Sequence, residues 1–272
     1  MRIIKEKQNL TYLQWSHIRS SSGTAGSFLK SESILNRKKT YYKLSNFDPL
    51  NGVIGHECIN ELIVDRLLCA LGVEHLEYTL INADILLDDK VMQTYLLESE
   101  DFKTRGEEKV SLDIFYELGK MEGESPMAFV LRMGWEEYIY QMIAIDYLIL
   151  NRDRHGANIE VLRNRKTHSY RLAPLFDHGL SLLCSARNDQ EALKFDVMED
   201  KPIQSFVGSR SAEANLDLIP KDALPAFNRL EESLKDELFE GLEDVLSIVF
   251  RKKIWEMIWK RWCRYEDICN NK

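Results

Sequence analysis

The amino-acid sequence predicts an α+β protein in two lobes, a small β-rich N-lobe carrying one helix and a larger, mainly helical C-lobe. Three observations point there. The chain has 272 residues, 44% apolar and 29% charged, enough to bury a substantial core in one large domain or two lobes. Residues 1–99 mix short β-rich stretches with one helical pattern, whereas residues 100–272 are dominated by longer helical patterns joined by polar segments. The longest apolar-leaning run, residues 138–150, is broken by Gln141 and Asp146. It falls short of the ~20 residues that span a bilayer, so no transmembrane helix is expected.

Taken in order, KKTYYKLS at 38–45 and ADILLDDKVMQTYLLES at 83–99 are aromatic and β-branched with turn-prone interruptions, the signature of strands in a small antiparallel sheet. Between them, Ile59, Leu62, Ile63, Leu67, Leu68 and Leu71 fall on one face of a 3.6-residue period, predicting a helix over 56–71 that stops at Gly72. The polar stretch EDFKTRGEEK at 100–109 reads as the connection between lobes or a loop just beyond it. Residues 136–150 read as a buried helix ending at Asn151, and 159–175 as a β-hairpin with a polar turn. Residues 184–214 carry few periodic apolar positions and read as an irregular segment; within it KPIQSFVGSRS at 201–211 is a candidate substrate platform, activation-like segment or plain surface loop. The last 40 or so residues return to helix, with Trp255, Trp259 and Trp262 at the spacing of a core stripe.

The formal net charge is −8, from 36 Lys and Arg against 44 Asp and Glu, which makes direct nucleic-acid binding a poor expectation. Five cysteines at irregular spacing, with no Cys-x-x-Cys pair, and a start without a long apolar run predict a reducing, cytoplasmic setting.

The chemistry concentrates in NRDRHGAN at 151–158, set between a helix and a hairpin whose second arm ends in LFDHG at 175–179. An Asp, an Asn five residues later, a hairpin and an Asp-x-Gly follow the order of catalytic parts in protein kinases. Phosphoryl transfer needs a carboxylate to orient the attacking hydroxyl and oxygen ligands to hold magnesium on the phosphates. Asp153 suits the first task, Asn158 and Asp177 the second, and Arg154 and His155 can brace the loop or meet phosphate. The same side chains, with His178, could instead ligate a metal in a nuclease or phosphatase, a reading that leaves the upstream part unexplained. Upstream, the small-residue run 20–27, with Ser22, Gly23 and Thr24 at its centre, can approach phosphates through backbone N–H groups. Lys43 on the following strand is the candidate for the α and β phosphates, held by Glu57 or Glu61, which share a helix face; Glu61 is preferred. Glu98 and Ser99 close the last strand, with 97–99 as the hinge that would meet an adenine through main-chain atoms. His17, His56, His75 and His168 show no ligand spacing.

These segments, namely IDYLILNRDRHGANIEVL, RLAPLFDHGLSL, YYKLS, ECINELIVDRLLCALGV and the serine- and glycine-rich loop, resemble the HipA-like protein kinases of bacteria. The resemblance spans about residues 20–185 and rests most on Asn-x-Asp-Arg-His-x-x-Asn. It implies a bilobal protein-kinase-like fold and transfer of phosphate from ATP, with Mg2+, to a Ser or Thr of a protein substrate. Asp153 would be catalytic and Asn158 and Asp177 would hold the metal. It also implies that Ser20, Ser21 and Ser22 are autophosphorylation candidates. The chain resembles compact members without the extra N-terminal subdomain of the longer toxins, and SGTAGSFLK departs from their loop pattern, which leaves an antitoxin-like partner open. His178 stands where eukaryotic kinases have phenylalanine, so no flipping aromatic switch is implied. A lipid or small-molecule acceptor, or a nucleotide-binding pseudokinase or interaction module, are the alternative readings; no membrane-binding element favours the lipid.

Overall fold

The computed structural model describes residues 2–16, 28–35 and 38–271. The first part is a five-stranded sheet in the order β1-β6-β7-β3-β2, from β1 (Arg2–Asn9), β2 (Lys30–Leu35), β3 (Lys38–Lys43), β6 (Thr79–Leu87) and β7 (Lys90–Glu100). A two-residue pair, β4 (Phe47–Asp48) and β5 (Gly52–Val53), leads into α1 (Glu57–Leu71). Strands 38–43 and 79–100 lie where the sequence predicts them, the latter as a hairpin turning at Asp88 and Asp89, both with positive φ. The sheet is not wholly antiparallel, however: β1 adds to β6 in parallel, an edge pairing that local pattern did not announce.

The second part holds β8 (Glu107–Ser111), α2 (Leu112–Gly119), α3 (Pro126–Arg132), α4 (Glu136–Ile149), β9 (Asp153–Arg154), β10 (Glu160–Asn164), β11 (Ser169–Leu172), α5 (Asp189–Lys194), β12 (Gln204–Ser205), α6 (Ala212–Asn215), α7 (Leu234–Phe239) and α8 (Ile248–Asn271). The expected hairpin is β10 and β11. The last three residues of the expected connector, Glu107, Glu108 and Lys109, begin strand β8, which pairs with β10. Its charges concealed it: Glu107 is gripped by Arg171 at 2.8 Å and Glu108 by Arg163 and Arg165, so the ladder is joined by cross-strand ion pairs. The fork of Arg171 holds the Glu107 carboxyl down to about 2.

The segment read as irregular is also ordered locally, by polar caps in place of apolar periodicity. Asn188 accepts from the Glu191 N–H to start α5, Ser211 caps α6, and Asp200 accepts from the Ala212 N–H at 3.0 Å. Strand β12 lies parallel to β9, pairing Gln204 with Asp153 and Ser205 with Arg154.

Two cores flank the sheet. Ile81, Ala83, Ile85 and Leu96 face Leu10 and Leu13, while Leu80 and Leu97 face α1 and share one continuous core with α4 and α8. Trp255 and Trp262 are buried in that core, as their spacing predicts. Helix α1 ends at Gly72, whose φ of +74° suits a residue without Cβ, and a Cβ there would meet Asn228 Nδ2 at 2.8 Å.

Because α1 is covered on both sides, its polar face is buried too, and each polar side chain fastens another segment. Asn60 donates to the carbonyls of Gly179 and Ser181, and Arg66 to those of Leu238 and Glu240. Asp65 meets His75 Nε2 at 3.2 Å and accepts from the Tyr78 N–H. Among the described residues no helix is long and apolar enough to cross a membrane.

The His75 ring lies between Asp65 and the Val73 carbonyl, 2.7 Å from Nδ1, so both nitrogens face acceptors. Burial opposes the imidazolium, but donation to Asp65 and Val73 outweighs it and the pKa is raised. The stabilisation is therefore full below the unfolded-state value of 6.5 and lost as pH rises through the higher folded-state value. In urea unfolding, the wild type should exceed His75→Ala by about 1 kcal/mol more at about pH 5.5 than at about pH 9. An equal difference at both would show that the ring is uncharged.

Candidate active site

Lys43 sits at the end of β3, where the pleat sends Tyr41, Lys43, Leu97 and Ser99 to one face and Tyr42 and Glu98 to the other. Its Nζ lies 2.8 Å from Glu61 Oε1 on α1 and 2.5 Å from Asp177 Oδ1, with 12% of its side chain exposed. Burial opposes the charge, but the two carboxylates outweigh it and hold the ammonium well above its usual pKa. Of the two glutamates four apart, Glu61 is the partner. Glu57 turns aside and accepts from the Asn46 N–H at 3.0 Å.

The segment after α4 is shaped by that helix's last turn. Asp146 accepts from Asn151 Nδ2 at 2.9 Å and from Arg154 Nε at 3.0 Å, while Leu150 takes a left-handed conformation, φ +51°, that turns the chain out of the helix. Asn151 Oδ1 in turn accepts from the Asp153 N–H. Asn158 donates from Nδ2 to the Asp153 carbonyl at 2.7 Å and to Asp153 Oδ2 at 3.2 Å. This directs its Oδ1 away from Asp153. His155 accepts the Ala157 N–H at Nδ1, which assigns the proton to Nε2, 3.4 Å from Asp153 Oδ1.

Arg154 joins this loop to the next. Its guanidinium is 1% exposed and, besides Asp146, donates from Nη1 to the carbonyls of Asn158 at 3.2 Å and Phe176 at 2.8 Å. Of the two roles open to it from sequence, the geometry is that of the brace. Asp146 shows how much the pair matters: burial raises its pKa even though Arg154 and Asn151 pull it back. Main-chain bonds complete the seam, from the Arg152 N–H to Leu180 and from the Leu182 N–H to Ile149.

Asp177 has φ +61° and its N–H donates to the Tyr78 hydroxyl at 3.4 Å. The His178 N–H donates to Glu61 Oε2 at 2.8 Å. The His178 ring lies 3.8 Å from the same oxygen, but burial pushes its pKa well below the ordinary range, so this is no ion pair. Gly179 permits the close approach of α1, since a Cβ would stand 3.0 Å from Glu57 Cβ and 3.4 Å from Lys43 Nζ.

Lys43 and Asp177 open on a cleft of about 770 Å³, part of it open to solvent, which also meets Tyr78, Leu97, Ser99 and Phe176. Ser99 lines it; Glu98, expected beside it, projects from the opposite face against Tyr42. Ser20, Ser21, Ser22, Gly23 and Thr24 lie outside the described residues. Sequence reasoning passed over Asn60, Tyr78 and Asp146 as site-building residues. Only Asp146 had a signal, as an acid interrupting an apolar helix.

No protein-family model matches the chain, and no curated protein matches it either. Among solved structures, the proinflammatory kinase CtkA of Helicobacter pylori aligns with a TM-score of 0.71 and 19% identity, covering 97% of this chain and 98% of that one. HipA of Shewanella oneidensis MR-1, from its toxin–antitoxin complex with HipB and operator DNA, aligns at 0.43 with 15% identity, covering 90% of this chain and 58% of that one. The first likeness shows a kinase-like α+β fold; the second is too loose to bear on it.

If Arg154 is the brace, Arg154→Met leaves the Asp146 carboxylate buried without its counter-charge and should destabilise the fold by about 3–5 kcal/mol in denaturant unfolding. Adding Asp146→Asn should recover part of that loss. Asp153→Asn, at a partly exposed position of the same loop, should change stability by less than about 1 kcal/mol.

Proposed function

We propose that the chain is an ATP- and magnesium-dependent protein kinase that phosphorylates Ser or Thr, with residues 1–99 as N-lobe and 100–272 as C-lobe. One observation carries the reading: the Lys43 ammonium lies between Glu61 and Asp177, while Arg154 ties the loop of Asp153 and Asn158 to the residue before Asp177. Lys43 and Asp177 line one cleft, and the loop that carries Asp153 and Asn158 is fastened beside it through Phe176, an arrangement that supports phosphoryl transfer.

The donor set suits magnesium. Asn158 Oδ1 and the Asp177 carboxylate are hard oxygens, and magnesium commonly takes one or two carboxylates and completes its shell with water and substrate phosphates. Among the described residues no three His, Cys, Asp or Glu side chains converge as a metal site, so such an ion would depend on the nucleotide as well. When bound it would neutralise charge on the β and γ phosphates.

In this reading Lys43, steered by Glu61, meets the α and β phosphates. Asp153, oriented by Asn158 and by its own N–H to Asn151, accepts the proton of the acceptor hydroxyl. The acceptor oxygen bonds to the γ phosphorus as the bond to the β–γ bridging oxygen breaks, and ADP leaves. His155 Nε2–H, beside Asp153 Oδ1, keeps that carboxylate aimed.

Incubated with ATP and magnesium, the purified chain should gain phosphate on itself or on a generic protein acceptor by intact-mass measurement, and chelation of magnesium should stop it. Asp153→Asn should slow the transfer by about 10²–10⁴-fold and Asp177→Asn should abolish it, with both variants still folded. Phosphorylation that persists in both rejects these roles. Transfer confined to a lipid or small molecule moves the acceptor and keeps the chemistry.

A further inference from the structure

The end of the cleft away from Lys43 holds a charge that neither the motifs nor the phosphate chemistry require. Tyr41 and Ser99 lie two residues along the ladder from Lys43 and Leu97, about 7 Å away. There the Nζ of Lys109, on β8, stands 2.9 Å from Asp101 Oδ1 and 3.4 Å from the Tyr41 hydroxyl. It also sits 4.1 Å from the centre of the Phe102 ring and 4.6 Å from that of Tyr41. Lys109 is 13% exposed and Asp101 12%, and Lys109 forms part of the cleft wall.

A nearly buried ion pair is a weak source of stability, because desolvating both charges offsets most of their attraction and apolar residues of the same size often serve as well. Here it stands in a slot that Tyr41, Leu76, Leu97, Phe102 and Phe176 help to line, surroundings in which a planar base fits. An ammonium has three N–H groups, and Asp101 and Tyr41 account for two of them. The same wall carries the buried carboxyl of Glu160, diagonal to Lys109 across the β8–β10 ladder, so this end of the cleft offers a donor and an acceptor from side chains.

We infer that Lys109, steadied by Asp101 and Tyr41, is a nucleoside-binding and specificity-determining residue whose ammonium donates to an acceptor atom of a purine nucleoside. This rests on the nucleotide reading of the cleft and adds to it that affinity depends on the nucleoside as well as on the phosphates.

The test is calorimetric binding of ATP, adenosine and inorganic tripolyphosphate to the wild type, Lys109→Met and Lys109→Arg. Lys109→Met should weaken ATP and adenosine alike, by about 10- to 100-fold, with tripolyphosphate unchanged, and Lys109→Arg should regain most of the loss. An equal loss for all three ligands, or an unchanged affinity for adenosine, overturns the inference. Should Lys109→Met melt below the assay temperature, Lys109→Gln, which keeps a polar group beside Asp101, takes its place: a lowered ratio of adenosine to tripolyphosphate affinity is expected, and an unchanged ratio overturns the inference. A wild type that binds tripolyphosphate but not adenosine overturns this inference alone. One that binds none of the three overturns the nucleotide reading beneath it.

Discussion

The Lys43 ammonium, shared between Glu61 and Asp177, is the interaction on which the rest of the structure depends. It joins a sheet strand, a helix and a distant loop through one buried positive charge. Either carboxylate alone would leave a smaller offset to the cost of burying that charge; together they hold it protonated. The arrangement also sets the chemistry of the cleft, since the cation stands beside a carboxylate whose backbone is bent into a left-handed turn.

Helix α1 makes this geometry possible by burying polar groups that a surface helix would expose. Glu61, Asn60 and Asp65 all act on the region around Asp177, directly or through Tyr78 and His75. A buried polar group without a partner costs about 1–3 kcal/mol, so these side chains favour one arrangement of the surrounding loops. Asp146 in the last turn of α4 and Arg154 on β9 perform the same task for the loop that carries Asp153 and Asn158. The left-handed Leu150 and Leu182 each cost about 1–2 kcal/mol in backbone strain, which their complete burial and the main-chain bonds of the seam offset.

Much of this was legible in residues near one another in sequence. The period of Leu62, Leu67 and Leu71 with Gly72 after it located α1, and the turn residues between 159 and 175 located the hairpin. Asp153 and Asn158 are five apart and fold locally, so their meeting followed from the loop itself. The order of motifs pointed to Lys43, Asn158 and Asp177, and gave only a preference for Glu61 over Glu57, because residues four apart share a helix face. Strand β8 was illegible because its charges are matched by partners far along the chain, and the order of residues 184–214 because it comes from short-range polar caps that leave no apolar period.

By itself, then, the sequence determined the α+β class, the main helices and hairpins, and the residue types able to handle phosphate, because short-range periodicity and turn chemistry act within a few residues. Tertiary structure alone decided that Glu61 and not Glu57 faces Lys43, that Arg154 is buried as a brace, and that Lys109 lines the far end of the cleft. Those outcomes depend on which buried charges meet, over separations that run from 8 residues for Arg154 and Asp146 to 134 for Lys43 and Asp177. The cost of leaving such charges unpaired is a property of the packed whole.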